Sequence, residues 1–113
     1  MSDSKKFPAI FYKTDLGNEP VREWLRSLNK KDRTLIGTNI RTVEFGWPVG
    51  MPVCKPLGDG LPEVRTPLDN RIARVLFCVT DEQIVLLHGF IKKTQKTPKA
   101  DKDLALKRKL EME

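Results

Sequence analysis

Two long apolar segments joined by a short polar turn lie near the middle of the chain, and they constrain its fold more than any other feature. Residues 71–79 and 83–91 are rich in Val, Ile and Leu, and Thr80, Asp81 and Glu82 separate them. Apolar runs of this length, bounded by turn residues, are typical of strands that are buried on both faces. The sequence therefore predicts a central β-hairpin.

Helix signals flank this hairpin on both sides. A first helix is predicted to begin with Asn18 as its N-cap and Pro20 in its first turn, because these residue types favour helix starts. Its apolar residues recur at helical spacing, and Trp24 among them is predicted to be core. A second helix is predicted over residues 32–45, with Gly46 ending it, and a third after Thr97 as cap. The third has only a partial apolar stripe, so we expect it to dock loosely or to need another chain.

Strand signals complete the order β-α-α-β-β-β-α. Residues 9–13 and 61–68 are predicted strands, Asp69-Asn70 is a predicted hairpin turn, and the Gly- and Pro-rich residues 46–56 are a predicted loop. Strands joined by tight turns pair antiparallel, and the first strand joins them after the helices. We therefore predict an α+β fold in one domain, residues 1–113, with a mostly antiparallel four-stranded sheet packed on a helical hairpin, and a C-terminal helix.

The charge distribution indicates a polyanionic partner. The formal net charge is +6, and residues 92–109 contain eight basic residues against two acidic ones. No apolar run is long enough to cross a bilayer, and the N-terminal residues do not resemble a signal peptide, so a cytoplasmic protein without membrane contact is expected. Cys54 and Cys78 lie in apolar contexts and are predicted to be reduced.

The candidate chemistry is cationic. The chain has one histidine and no cluster of metal ligands, no nucleotide-binding glycine motif and no serine elbow, so neither a metal site nor a cofactor is expected. Antiparallel pairing is predicted to gather up to five cations at one end of the sheet, where they would meet a phosphodiester: Arg65, Arg71, Arg74, Lys92 and Lys93. Local pairing of Arg65 with Glu63, and of Arg71 with Asp69, is the alternative. His88, on the same predicted face as Ile84 and Leu86, reads more readily as a packed strand residue than as a catalyst.

Three motifs in order carry a family resemblance. They are LPEVR at 61–65, NRIARVLFCV at 70–79 and IVLLHGFIKKTQKTP at 84–98, followed by a basic helix. Together they resemble the RelE/ParE toxin superfamily, and most of all its HigB-like, phage-derived branch. The resemblance implies the toxin of a type II toxin–antitoxin pair, acting as a ribosome-dependent mRNA endoribonuclease (an mRNA interferase). Such enzymes use no metal: the 2′-hydroxyl attacks the adjacent phosphate, leaving a cyclic phosphate and a 5′-hydroxyl.

The resemblance also implies roles for individual residues and partners. The catalytic candidates are Arg65, Arg74, Lys92 and Lys93, with Lys92 or Lys93 as the candidate general base, and the resemblance adds Lys96 and, loosely, His88 as RNA-binding candidates. Arg71 and Lys99 are RNA-binding candidates because of their charge and position in the sequence. The implied partners are the ribosome, mRNA and a cognate antitoxin, expected to be a small helix-turn-helix protein. One departure is that no aromatic residue follows Phe90, whereas members of the RelE branch stack a base on an aromatic near the C-terminus. Either Trp47, an arginine plane or ribosomal RNA replaces this aromatic residue, or cleavage is weaker.

Two other functions remain open on the sequence. The ParE side of the superfamily inhibits DNA gyrase without cutting RNA. A basic RNA-binding module without activity would show the same salt dependence as a nuclease, because both make phosphate contacts.

Overall fold

The hairpin predicted from the apolar segments forms the middle of a five-stranded sheet. A computed structural model describes residues 5–112. In chain order the elements are β1 (Ala9–Phe11), α1 (Pro20–Ser27), α2 (Lys30–Gly46), β2 (Cys54–Pro56), β3 (Pro62–Leu68), β4 (Arg71–Val79), β5 (Ile84–Lys92) and α3 (Lys99–Glu111). The strand order is β1-β5-β4-β3-β2, with β1 parallel to β5 and the other neighbours antiparallel. The α+β class and the mostly antiparallel sheet are confirmed.

The predicted strand number of four is wrong because residues 54–56 are not a loop. They form β2 at the sheet edge, where Cys54 pairs with Val64 and Pro56 with Pro62. Three residues ending in proline carry no readable alternation, and a proline is tolerated on an edge strand because no further strand needs its missing N–H. The sequence therefore does not predict β2, and only its pairing with β3 identifies it as a strand. Cys54 and Cys78 are both buried, in keeping with the apolar sequence contexts in which they lie.

Each face of the sheet has its own apolar core. On one face, α1 packs against β5 and β1 while α2 packs against β3, and Val21, Ile36 and Phe77 are buried between these layers. On the other face, α3 packs against β5 and β4, and Ala105 is buried there beside Leu76. Both faces of the hairpin are therefore covered, which explains why its strands are apolar almost throughout.

A β-bulge in β5 reverses which residues face each helix layer. Phe77 pairs with Leu86 but Leu76 pairs with His88, so Leu87 is an extra residue. Before the bulge, the even-numbered residues of β5 face α1 and α2; after it, they face α3. The prediction that His88 shares a face with the even-numbered residues before it is therefore wrong.

The turn and cap predictions have mixed outcomes. Asn70 has a φ of 56° in the tight turn predicted before β4. Asn18 and Thr97 are not the N-caps: Glu19 and Pro98 occupy those positions, without a side-chain cap hydrogen bond. Among residues 5–112, no helix has the length and apolar character that crossing a bilayer requires.

Specific polar contacts hold α3 on the sheet more firmly than its partial apolar stripe predicts. Arg108 Nη1 donates a hydrogen bond to the Leu87 carbonyl at 2.7 Å, which uses a backbone oxygen that the bulge leaves outside the ladder. Tyr12 Oη donates to Glu111 Oε1 at 2.6 Å. This hydrogen bond raises the pKa of Tyr12, and burial adds to the effect. These contacts fix the C-terminal half of α3 on the sheet. The first turn of α3 then lies at the C-terminal end of β5.

Candidate functional site

Strand alternation and register bring several predicted site residues together on the face of the sheet that α3 covers. Arg65 of β3 pairs in register with Arg74 of β4, and Arg74 pairs with Phe90 of β5. Glu63 precedes Arg65 by two residues, so its side chain lies on the same face. We call this end of the sheet, together with the first turn of α3, the α3-side site.

Arg74 is a buried cation. Its side chain is 0% exposed, its Nε lies 3.8 Å from Glu63 Oε1, and its guanidinium lies 5.8 Å from the centre of the Phe90 ring. Nη2 donates a hydrogen bond to the Thr94 carbonyl. Burial lowers the pKa of Arg74, the Arg65 charge adds to this, and the Glu63 carboxylate opposes it. In this conformation Arg74 does not reach solvent, and its contacts are with Glu63 and the Thr94 carbonyl in the interior of the site.

Glu63 is the centre of the site, and sequence analysis assigned it only a local pairing with Arg65. Its side chain is also 0% exposed, and its Oε1 lies 3.7 Å from Arg65 Nε as well as close to Arg74. Its Oε2 accepts a hydrogen bond from the Thr97 hydroxyl. One carboxylate thus faces two guanidinium groups in the interior and balances the charge of one of them. The available signal was an acidic residue between Leu61 and Val64, at a strand position that points inward.

Residues 93–98, which we call the strap, cross the site between β5 and α3. Three groups of the strap bind the buried charges: the Thr94 carbonyl binds Arg74, the Thr97 hydroxyl binds Glu63, and Gln95 binds Arg65. Arg65 Nη2 donates to both the Gln95 carbonyl, at 3.2 Å, and Gln95 Oε1, at 3.3 Å. The strap therefore takes the positions around Arg74 that phosphate oxygens would need, whereas at Arg65 its hydrogen bonds occupy Nη2 alone.

A second carboxylate organises the site at the start of α3. Asp101 Oδ1 lies 2.7 Å from His88 Nε2, and Asp101 Oδ2 accepts a hydrogen bond from Lys92 Nζ at 3.2 Å. The His88 ring stacks on Phe90 with 5.5 Å between centroids, and Lys92 Nζ lies 5.6 Å from the Phe90 ring centre. Asp101 thus fixes the orientation of the imidazole. When Nε2 carries the proton, Nδ1 is the acceptor nitrogen.

Arg71 does not join this site, so the prediction that five cations gather at one end is wrong for this residue. Its Nη2 lies 3.0 Å from Asp32 Oδ2 in α2, and its Nε donates to the Asp69 carbonyl at 3.2 Å. Residues three apart on a strand point to opposite faces, so Arg71 and Arg74 diverge.

The remaining predicted lysines lie at the surface. Lys93 and Lys96 are exposed on the strap. Lys99 is exposed on α3, where its Nζ donates to Asp103 Oδ2 at 2.9 Å, and this hydrogen bond raises the pKa of Lys99. Trp47 is half-buried against Phe77, edge to face at 5.3 Å, so its ring belongs to the core on the other face. Within residues 5–112, no three His, Cys, Asp or Glu side chains are placed to ligate one metal ion.

Comparison with protein-family models finds a match over most of the chain. The model of the family described as phage-derived protein Gp49-like (DUF891) matches residues 23–110. This span includes α2, all strands except β1, and most of α1 and α3. It therefore contains every residue of the α3-side site. No curated protein matches the chain.

Proposed function

Since the chain belongs to the phage-derived Gp49-like family, we propose that it is the toxin of a type II toxin–antitoxin pair and a ribosome-dependent mRNA endoribonuclease. This family is associated with toxins of toxin–antitoxin systems and is related to RelE-like toxins. The family also implies an antitoxin partner. RNA cleavage, dependence on the ribosome, the helix-turn-helix character of the antitoxin and the HigB-like branch are parts of the proposal.

The observation that carries the proposal is a proton acceptor held among cations. His88 is fixed by Asp101 at 2.7 Å, and Lys92 shares that carboxylate at 3.2 Å. Arg65 lies on the same sheet face, and Lys93 follows Lys92 directly. An oriented imidazole beside an ammonium group, on a sheet face that also carries a guanidinium group, is suited to RNA cleavage, because the reaction needs a base for the 2′-hydroxyl and stabilisation of the negative charge on the phosphoryl oxygens.

The proposed reaction uses the chain's own side chains. His88 Nδ1 takes the proton of the 2′-hydroxyl, and the 2′-oxygen forms a bond to the adjacent phosphorus. The bond from phosphorus to the 5′-oxygen breaks, and that oxygen takes a proton from the Lys93 ammonium or from water. Arg65 and Lys92 stabilise the charge on the phosphoryl oxygens during this exchange. The products are a 2′,3′-cyclic phosphate and a 5′-hydroxyl.

Arg74 has a different role in this proposal from the one that the resemblance implies. Because the strap covers it and Glu63 pairs with it, Arg74 positions Glu63 and the strap rather than gripping phosphate. Lys93 and Lys96 replace it as solvent-facing cations. Alanine at Lys93 therefore tests the site more cleanly than alanine at Arg74, which removes a buried charge.

The test is inducible expression followed by primer extension on translated mRNA. Wild type is expected to arrest growth and to produce cuts within codons, whereas His88→Asn and Lys93→Ala are expected to lose both. Lys31→Ala is the control, because Lys31 is an exposed lysine on α2 that pairs with Asp69. Growth arrest with DNA damage and without cuts would refute RNA cleavage in favour of gyrase inhibition. RNA binding without arrest would leave only a binding module.

A further inference from the structure

A groove lies beside the α3-side site, at the edge where β2 no longer covers β3. Its volume is about 260 Å³, and its lining includes Met51, Arg65, Pro67, Ile72 and Gln95. We propose that this groove binds one nucleobase of a single-stranded RNA whose phosphate lies at Arg65. The inference rests on the proposed function, because it names the part of the substrate that the same site recognises.

The floor of the groove is aliphatic. Pro67 and Ile72 are register partners on β3 and β4, and they lie on the same sheet face as Arg65. Met51 forms the rim and is 60% exposed. A base edge or face that enters this groove would cover the apolar surface of Pro67, which is exposed. A volume of about 260 Å³ lies below the range of about 300–1,000 Å³ that is usual for drug-sized ligands, which suits a single base.

The polar groups of the groove match the needs of a nucleotide. Arg65 supplies a planar guanidinium at the wall, and guanidinium planes stack on unpaired bases. Gln95 Oε1 accepts from Arg65 Nη2, which leaves the amide NH₂ group of Gln95 to donate to a base edge. Asn39 also lines the groove, and its amide donates to the Thr66 hydroxyl at 3.1 Å. The amide oxygen of Asn39 can accept from a base.

Charge favours RNA over a protein segment as the occupant. The wall contains a guanidinium, and the adjacent strap carries Lys93 and Lys96 at the surface. No aromatic residue follows Phe90 in the sequence, and Trp47 packs on Phe77 on the other face, so neither supplies a stacking platform at this groove. An arginine wall and an aliphatic floor therefore replace the aromatic platform on which unpaired bases usually stack.

The test compares nucleotides with a ligand that lacks only the base. The full chain is labelled with ¹³C in the methyl groups of methionine and isoleucine, and AMP, GMP, CMP, UMP or ribose 5-phosphate is added. At least one nucleotide is expected to shift the Met51 and Ile72 methyl signals in a saturable way. Ribose 5-phosphate is expected to bind at least about tenfold more weakly and to leave both methyl signals in place.

A matched pair of variants completes the design. Met51→Ala is expected to weaken nucleotide binding several-fold without changing that of ribose 5-phosphate, because it removes apolar rim and no charge. Leu16→Ala is the control, since Leu16 is 90% exposed beyond β1, at the opposite edge of the sheet. Equal shifts from ribose 5-phosphate and all four nucleotides, or methyl signals that no nucleotide moves, would overturn the proposal and leave the groove to a protein segment.

The outcomes for the groove and for the proposed function can be separated. Base-dependent shifts in a protein that neither arrests growth nor cuts mRNA would support the groove and refute the endoribonuclease. Cuts in mRNA, from a protein whose Met51 and Ile72 methyl signals do not shift with any nucleotide, would support the endoribonuclease and refute the groove.

Discussion

Replacing Arg74 with alanine tests the energetics of the buried charges. Arg74→Ala leaves Glu63 fully buried with its Oε1 facing only Arg65 Nε at 3.7 Å. Removing one partner of a buried ion pair costs about 3–5 kcal/mol. Because Arg65 and the Thr97 hydroxyl still contact the carboxylate, we expect the low end, about 3 kcal/mol. This is a large part of the roughly 5–15 kcal/mol that stabilises a domain.

Thermal and urea unfolding measure this cost. A loss of about 3 kcal/mol corresponds to a fall in Tm on the order of 12 °C for a chain of this length. The paired variant Arg74→Met with Glu63→Leu is expected to recover part of this loss relative to Arg74→Met alone, since it removes the buried carboxylate, while Arg65 loses its Glu63 contact and keeps its hydrogen bonds to Gln95. Lys31→Ala, at an exposed ion pair with Asp69, is expected to change stability by less than about 1 kcal/mol. An Arg74→Ala variant that melts within about 3 °C of wild type would refute the reasoning.

Three further predictions concern packing, a thiol and the strap. Gly89→Ala is expected to lower the free energy of unfolding by about 1–3 kcal/mol in urea unfolding, because the added Cβ would lie 2.4 Å from the Trp24 ring. Gly37→Ala has open space around the added Cβ and is expected to raise the free energy of unfolding by about 0.5–1 kcal/mol. The opposite order of the two variants would contradict the packing described. Burial raises the pKa of the Cys54 thiol from about 9 to about 11. Between pH 9 and 11 the unfolded chain therefore releases a proton that the folded chain keeps, and the free energy of unfolding falls by up to about 2–3 kcal/mol. Cys54→Ala is expected to remove this part of the fall, and identical pH profiles of stability for wild type and variant would exclude a contribution from the thiol. Thr97→Val removes the hydroxyl that binds the buried Glu63 carboxylate. It is expected to lower the free energy of unfolding by about 1.5–3 kcal/mol and to speed amide hydrogen exchange in residues 93–98. Unchanged exchange would show that this hydrogen bond does not hold the strap.

The candidate site was predictable in its residue types and only partly in its geometry. Arg65, Lys92 and Lys93 stand at strand ends and Arg74 interrupts an apolar run, which makes them candidates, and Arg65, Arg74 and Lys92 lie at the α3-side site. The sequence does not predict their accessibility, because Arg65 and Arg74 share the buried carboxylate of Glu63 on the same face of the sheet. Arg71 was misplaced although strand alternation alone separates it from Arg74, so the signal was present in that case. The catalytic roles remain predictions.

The sequence by itself determined the helices, the central hairpin and its turns, because these depend on contacts between neighbours a few residues apart. Periodicity marked α2, and the Asp69-Asn70 turn marked the start of β4. Only the tertiary structure decided the rest. The strand β2 exists through pairing with β3, and the bulge at Leu87 places His88 on the face where Asp101 meets it. Such features follow from long-range pairing and register, and a one-residue shift in register reverses every later side chain.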